Sequence, residues 1–183
     1  MNVYGDISRG LRPEPPGGHA LRSGQALGGR AGTLSDMDLQ QGIASSYLGQ
    51  GLSPQEIDLI VGIGEVVHFS DRQVVVEEFA VAVEVFLLLQ GRLRVTTGDG
   101  DPIARLEPGA IVGELALFER MPRSATVVSD GDSSLLRLTA EAFNALMDQH
   151  PAIGVKVLRN IGRTLSGRLR SSNLQLEAVL GSL

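Results

Sequence analysis

The 183-residue chain contains no cysteine and no tryptophan, and only three histidines, His19, His68 and His150. Without thiols there can be no disulfide scaffold, cysteine-ligated zinc, iron–sulfur cluster or thiol nucleophile. Three histidines so far apart argue against a zinc or iron enzyme built on histidine clusters. Long hydrophobic runs are missing too. The longest, Phe79 to Leu89, is broken by Glu84 and reaches about half the ~20 residues that a bilayer-crossing helix needs. The start, Met1-Asn2-Val3-Tyr4-Gly5-Asp6, has neither the basic residues nor the apolar stretch of a signal peptide, so a cytoplasmic location is expected. Positive charge is in deficit, 16 Lys+Arg against 21 Asp+Glu for a net charge of −5, which argues against a general nucleic-acid binder. No Ser-His-Asp arrangement, Walker phosphate loop or dinucleotide glycine fingerprint occurs. The expectation is a protein that is not an enzyme and needs no metal or cofactor.

What is present divides into three parts. Residues 1–46 hold nine of the 23 glycines and three of the eight prolines, Pro13, Pro15 and Pro16. With so few bulky apolar side chains to offset the entropy of ordering, this segment reads as flexible. From residue 47 the pattern is that of a folded domain. Ser53-Pro54-Gln55-Glu56 is a helix start, with Ser at the N-cap, Pro at the first helical position and Glu three residues after the Ser. Short strand-like stretches follow at Val66–Phe69, Gln73–Glu77, Val83–Leu89, Leu93–Thr97, Ile103–Leu106, Thr126–Val128 and Ser134–Leu138. They are separated by turn residues such as Gly91-Arg92, Gly98-Asp99-Gly100-Asp101 and Asp130-Gly131-Asp132. Seven or eight such strands imply a mainly β domain with flanking α, a jelly-roll barrel with one helix before it and two after it. Thr139 caps the first of these closing helices, running to about Gln149, and Pro151 starts the second. Residues 151–183 form one long helix, with an apolar seam of Leu158, Ile161, Leu165, Leu169, Leu176 and Val179 interrupted at Ser172. The same region carries Lys156, Arg159, Arg163, Arg168 and Arg170 against Glu177. His68 reads as a strand-face residue, and His150 as a helix C-cap where positive charge is favoured.

The run from Val112 to Val127 carries the chemistry. Gly113 permits an unusual dihedral or a close backbone approach just before a short helical turn. The first amides of that turn, around Glu114 to Leu117, are donors without helical partners and suit an anion. Arg123 offers a planar fork matched to two phosphate oxygens, and Ser124 adds a hydroxyl beside it. A carboxylate such as Glu114 would repel phosphate, yet it accepts hydrogen bonds well from sugar hydroxyls. The residue set therefore fits a ligand that carries both groups.

This run, Val112-Gly113-Glu114-Leu115-Ala116-Leu117 followed by Pro122-Arg123-Ser124-Ala125-Thr126, resembles the phosphate-binding cassette of cyclic-nucleotide-binding domains, as in protein-kinase regulatory subunits and the bacterial catabolite activator protein. The resemblance covers about residues 47–180. It implies that Gly113 and Glu114 meet the ribose 2′-hydroxyl, that Ala116 and Ala125 offer amides to the phosphate, and that Arg123 pairs with the phosphate directly. Leu115 and Ser124 complete the ligand-binding set, and Ser124 leaves cAMP and cGMP open. Two departures stand out: Val112 replaces a usual Phe, and Glu78-Phe79-Ala80 replaces a usual Gly-(Asp/Glu) turn. The implied function is a stand-alone sensor whose terminal helix closes over the base, with Arg163, Arg168, Ser171 or Asn173 facing it. Homodimerisation through that helix, or contact with a partner protein, would transmit the signal. With the chain ending at Leu183, no DNA-reading domain is expected. The competing readings are a domain of this fold in which Glu114 and Arg123 merely pair with each other, acting as an interaction module, and a cupin-type metal enzyme, for which the strands supply His68 alone.

Overall fold

The computed structural model describes residues 34–97, 100–117 and 121–181. The expectations for residues 1–33, for the Gly98-Asp99 half of one hairpin turn and for residues 118–120 inside the cassette lie outside the described residues.

Two helices lead, α1 (Asp36–Ser45) and α2 (Pro54–Gly62). Eight strands follow among the described residues: β1 (Glu65–Phe69), β2 (Val74–Val76), β3 (Glu84–Gln90), β4 (Leu93–Thr96), β5 (Pro102–Leu106), β6 (Ile111–Val112), β7 (Thr126–Ser129) and β8 (Ser133–Thr139). Helices α3 (Ala140–Gln149) and α4 (Pro151–Leu180) close the chain. The strands form two four-stranded antiparallel sheets, ordered β1-β8-β3-β6 and β2-β7-β4-β5. This is the expected jelly roll with flanking helices.

Side-chain alternation explains the layers. Along β3, Val85 and Leu87 face the helices while Phe86 and Leu88 face the second sheet; along β8, Leu136 and Leu138 oppose Leu135 in the same way. A strand buried on both faces has no polar positions to spare, which accounts for the unbroken apolar run in β3. One core lies between the sheets and includes Val76, Leu93, Val112 and Val127. Phe69 and Phe86 meet there edge to face, with ring centroids 6.2 Å apart. The other core lies under the helices and gathers Ile43, Ile57, Ile60, Phe143, Ile153, Val157 and Ile161.

Three expectations need correction. The flexible segment was placed over residues 1–46, but Asp36–Ser45 is helical. Ser35 and Asp38 form a reciprocal capping box, and Leu39 and Ile43, four residues apart, are buried. The signal was weak because Asp, not Glu or Gln, fills the third helical position. Second, the two-residue strand β6 is too short to show periodicity; it is recruited by pairing with Phe86 and Leu87. Third, the helix assigned to 151–183 as lid or dimer element is, in its first half, part of the domain core. Ile153, Val157 and Ile161 are buried in the core on the helix side of the roll, where α4 packs chiefly against α3. The buried Asn160 donates from Nδ2 to the carbonyls of Leu48 (3.2 Å) and Gln50 (2.7 Å). Ile161 therefore leaves the expected external seam.

His68 and His150 sit as expected. His68 pairs across the sheet with Ser134, Nδ1 lying 2.9 Å from the hydroxyl, and His150 is the C-cap of α3.

Candidate functional site

The cassette begins where β6 ends. Gly113 follows with φ +81°, in the left-handed region that side chains resist. It leads into a single 3₁₀ turn, Glu114–Leu117. The glycine is required twice over. A Cβ at this position would stand 2.4 Å from Arg123 Nη1 and 2.9 Å from the Glu84 carbonyl. The missing side chain is the space that the guanidinium uses.

Arg123 is only 8% exposed. Its Nη1 donates to the Gly113 carbonyl (3.2 Å) and its Nη2 to the Glu84 carbonyl (2.5 Å). Its Nε is buried with no hydrogen-bond partner among the described residues. Burial pulls the guanidinium pKa down, while the charges of Glu84 and Glu114 push it up. Arg123 does not figure in the ion pairs of the described residues. Main-chain dipoles hold the group in place, but they do not neutralise a buried positive charge. Chemically, a guanidinium held this way can receive an anion.

The turn at Glu78-Phe79-Ala80 fixes the arginine from behind. Phe79 N–H donates to the Arg123 carbonyl (2.9 Å), Arg123 N–H donates to the Ala80 carbonyl (3.0 Å), and Glu78 N–H donates to Thr126 Oγ1 (3.1 Å). Phe79 adopts φ +65°, a conformation uncommon for an aromatic residue that persists only where its surroundings impose it. The left-handed turn is thus kept without the glycine expected there, and it lies beside the cassette.

Glu114 is the second buried charge, its side chain 7% exposed. It does not pair with Arg123. Its Oε1 accepts from Nη1 of Arg168, which reaches down from α4 with a side chain 53% exposed. The phenol of Tyr47 lies close enough to feel both charges. Burial first, then the Glu114 carboxylate, raises its pKa, while Arg168 opposes the shift. The Tyr47 hydroxyl is buried with no hydrogen-bond partner among the described residues.

The structure therefore brings Gly113, Glu114 and Arg123 together. Leu115 is half exposed on the turn, Ser124 is exposed and Ala125 half-buried. Ala116 differs from expectation, since its N–H closes the turn onto the Gly113 carbonyl at 3.0 Å. A 3₁₀ turn bonds residue i to i−3, and so commits a donor that an α-helical start would leave open. Sequence reasoning missed Tyr47 and the Arg168–Glu114 pairing. Neither has a local signal, because these contacts join residues 54 or more positions apart. Among the described residues no group of three or more potential metal ligands occurs, and no helix is long and apolar enough to cross a membrane.

The two-sheet roll with flanking helices thus sets a buried arginine and a buried carboxylate beside one glycine-led turn. Residues 66–150 match the family described as cyclic nucleotide-binding domain. Glutaminase 2 of Bradyrhizobium diazoefficiens is 30% identical over 148 residues, covering 81% of this chain and 24% of that protein. The cyclic AMP receptor protein of Thermus thermophilus is 28% identical over 136 residues, covering 72% of this chain and 61% of that one. The crystal structure of Thermus thermophilus catabolite activator protein superposes with TM-score 0.65 at 29% identity, covering 73% of this chain and 63% of the other. The chain spans less than two thirds of each of these relatives.

Proposed function

We propose that the chain is a regulatory module that binds a cyclic mononucleotide, cAMP or cGMP, at residues 112–127 and changes its association in response. The observation that carries this reading is Arg123. A guanidinium sequestered under Gly113, with an unmatched Nε and no carboxylate partner among the described residues, is suited to a phosphate, and each charge-assisted hydrogen bond is worth about 1.5–3 kcal/mol. Glu114 on the adjacent turn supplies the acceptor for ribose hydroxyls, with Gly113, Leu115, Ala116, Ser124 and Ala125 completing the wall. The relative named for cyclic AMP supports the ligand class; the base stays open between adenine and guanine.

The test is calorimetry with both nucleotides on the full chain. Arg123→Ala is expected to abolish binding while the circular dichroism spectrum is unchanged. Retained affinity in that variant would place the site elsewhere. In the wild type, ligand at 100 times its dissociation constant should add about 2.7 kcal/mol of apparent stability.

The response runs through α4. Val155, Leu158 and Leu169 are exposed, and with Gly162 and Leu165 they repeat at alternating steps of three and four, the spacing of a coiled-coil seam. A second copy of the chain is the proposed partner for this stripe, related by a two-fold axis. Sedimentation giving only monomer at high concentration, with and without nucleotide, would remove the dimer from the mechanism.

One observation favours the reading of a closed interaction module: Arg168 already holds Glu114. Absence of heat with either nucleotide would establish that alternative.

A further inference from the structure

Tyr47 lies in the loop between α1 and α2, and that loop is held too closely to shift. Its neighbours Ser46 and Leu48 are buried. The Ser46 hydroxyl donates to the Ile43 carbonyl at 2.7 Å, and the Leu48 carbonyl accepts from Asn160. At Gly49 a Cβ would collide with the Ile43 carbonyl oxygen, so main chain rests directly on main chain. From this mount the Tyr47 side chain packs against the helix-side core that also contains Leu117, the last residue of the cassette turn. Its hydroxyl is buried and meets no acceptor among the described residues. An unmatched buried hydroxyl destabilises a fold, and phenylalanine would fill the same space without that cost.

Three residues before Leu117 stands an acceptor. Glu114 is nearly enclosed, and among the described residues its carboxylate accepts one hydrogen bond, from Arg168 at Oε1. A carboxylate offers about four acceptor positions, which leaves Oε2 for a ligand and for a second protein donor. Burial, then the Glu114 charge, hold the Tyr47 pKa above its ordinary value, so the phenol stays protonated and able to donate. We infer that Tyr47 is a positioning residue for sugar recognition: its hydroxyl donates to the Glu114 carboxylate in the nucleotide complex and fixes the acceptor that meets the 2′-hydroxyl. This rests on the nucleotide-binding reading above and adds a determinant of its preference for ribose over deoxyribose. A carboxylate held by donors from two elements keeps one orientation, and the donor on the α1–α2 loop cannot follow it elsewhere. Tyr47 acts through Glu114 and not by touching the ligand.

The experiment is a cycle between Tyr47→Phe and the 2′-hydroxyl, read by calorimetry on the full chain. The probes are cAMP, cGMP and the 2′-deoxy analogue of each. Tyr47→Phe keeps the ring and its packing, so it should melt within about 2 °C of wild type. It should bind the preferred nucleotide about tenfold more weakly, and the 2′-deoxy analogue within about twofold of wild type. A second measurement leaves Tyr47 intact. With an isotopic label on the ring carbon that bears the hydroxyl, and Tyr4→Phe as background, Tyr47 gives the single tyrosine signal in magnetic resonance. That signal should shift with the nucleotide and much less with its 2′-deoxy analogue; equal shifts, or none, would overturn the contact. An equal loss of affinity for both ligands would make Tyr47 a packing residue, and no loss for either would remove it from the site. Each of these overturns the inference while the nucleotide reading stands. If neither nucleotide binds the wild type, the functional reading itself fails, and this inference fails with it.

Discussion

The two halves of α4 are one continuous helix by hydrogen bonding and two different objects by environment. In the first half, Ile161 is completely buried, while in the second, Leu169 is 63% exposed, although both belong to the same apolar spacing. The first half packs into the helix-side core, and beyond Leu165 no residue of α4 is buried among those described. The comparison teaches that apolar spacing on a helix records which residues want cover, not which surface supplies it. One helix divides its apolar residues: the domain's helix-side core takes Ile153, Val157 and Ile161, while Val155, Leu158 and Leu169 are exposed.

The difference can be broken by mutation, starting with the largest effect. Ile161→Ala should destabilise the domain by about 2–5 kcal/mol, from lost burial and the cavity left behind, read as a drop in urea midpoint. A loss below 1 kcal/mol would mean that the first half is not core. Asn160→Ala should cost about 1–3 kcal/mol, because the carbonyls of Leu48 and Gln50 lose their buried donor. Denaturation should report it as a change in midpoint without a change in slope.

A smaller, pH-dependent effect belongs to Glu56. Its carboxyl is held below the usual range chiefly by the hydrogen bond from Lys156, then by the Ser53 backbone N–H. A group whose folded pKa is depressed adds stability above its unfolded value, about 4.3, and loses that stability as pH falls through the folded value. Glu56→Gln keeps a capping residue in place but removes the charge. The gap between wild type and variant should therefore be full near neutrality and close in acid, measured by thermal melts from pH 7 to 3. A gap constant with pH would assign the effect to packing. The smallest effect is Leu169→Ala, within about 0.5 kcal/mol for a dilute monomer. The same variant should weaken self-association in sedimentation runs, and unaltered association would remove this face from the dimer.

Much of the fold was legible. Ser53 and Thr139 cap helices where read, through the side-chain acceptors that helix starts require. Apart from β6, the strands were found within a residue or two because their β-branched and aromatic clusters end at glycine and aspartate turns. The cassette was legible because Gly113 and Arg123 leave a local imprint: a residue without a side chain beside one that needs its space. Helix α1 was missed because ten residues with two buried side chains stand out weakly from a glycine-rich leader. Tyr47 gave no sign, since a tyrosine before a turn looks alike whether its hydroxyl faces water or a carboxylate.

The sequence by itself determined the alternation that builds two sheets, the caps that start the helices, and the glycine and arginine that meet at one turn. These are properties of neighbours along the chain, where sterics and hydrogen bonding act over a few residues. Only the tertiary structure decided that Glu114 pairs with Arg168 and not with Arg123, and that α4 buries Ile153, Val157 and Ile161 while Leu169 stays exposed. Charge and apolar surface find whatever is nearest in space, and the fold of the chain between Glu114 and Arg168 decides what that is.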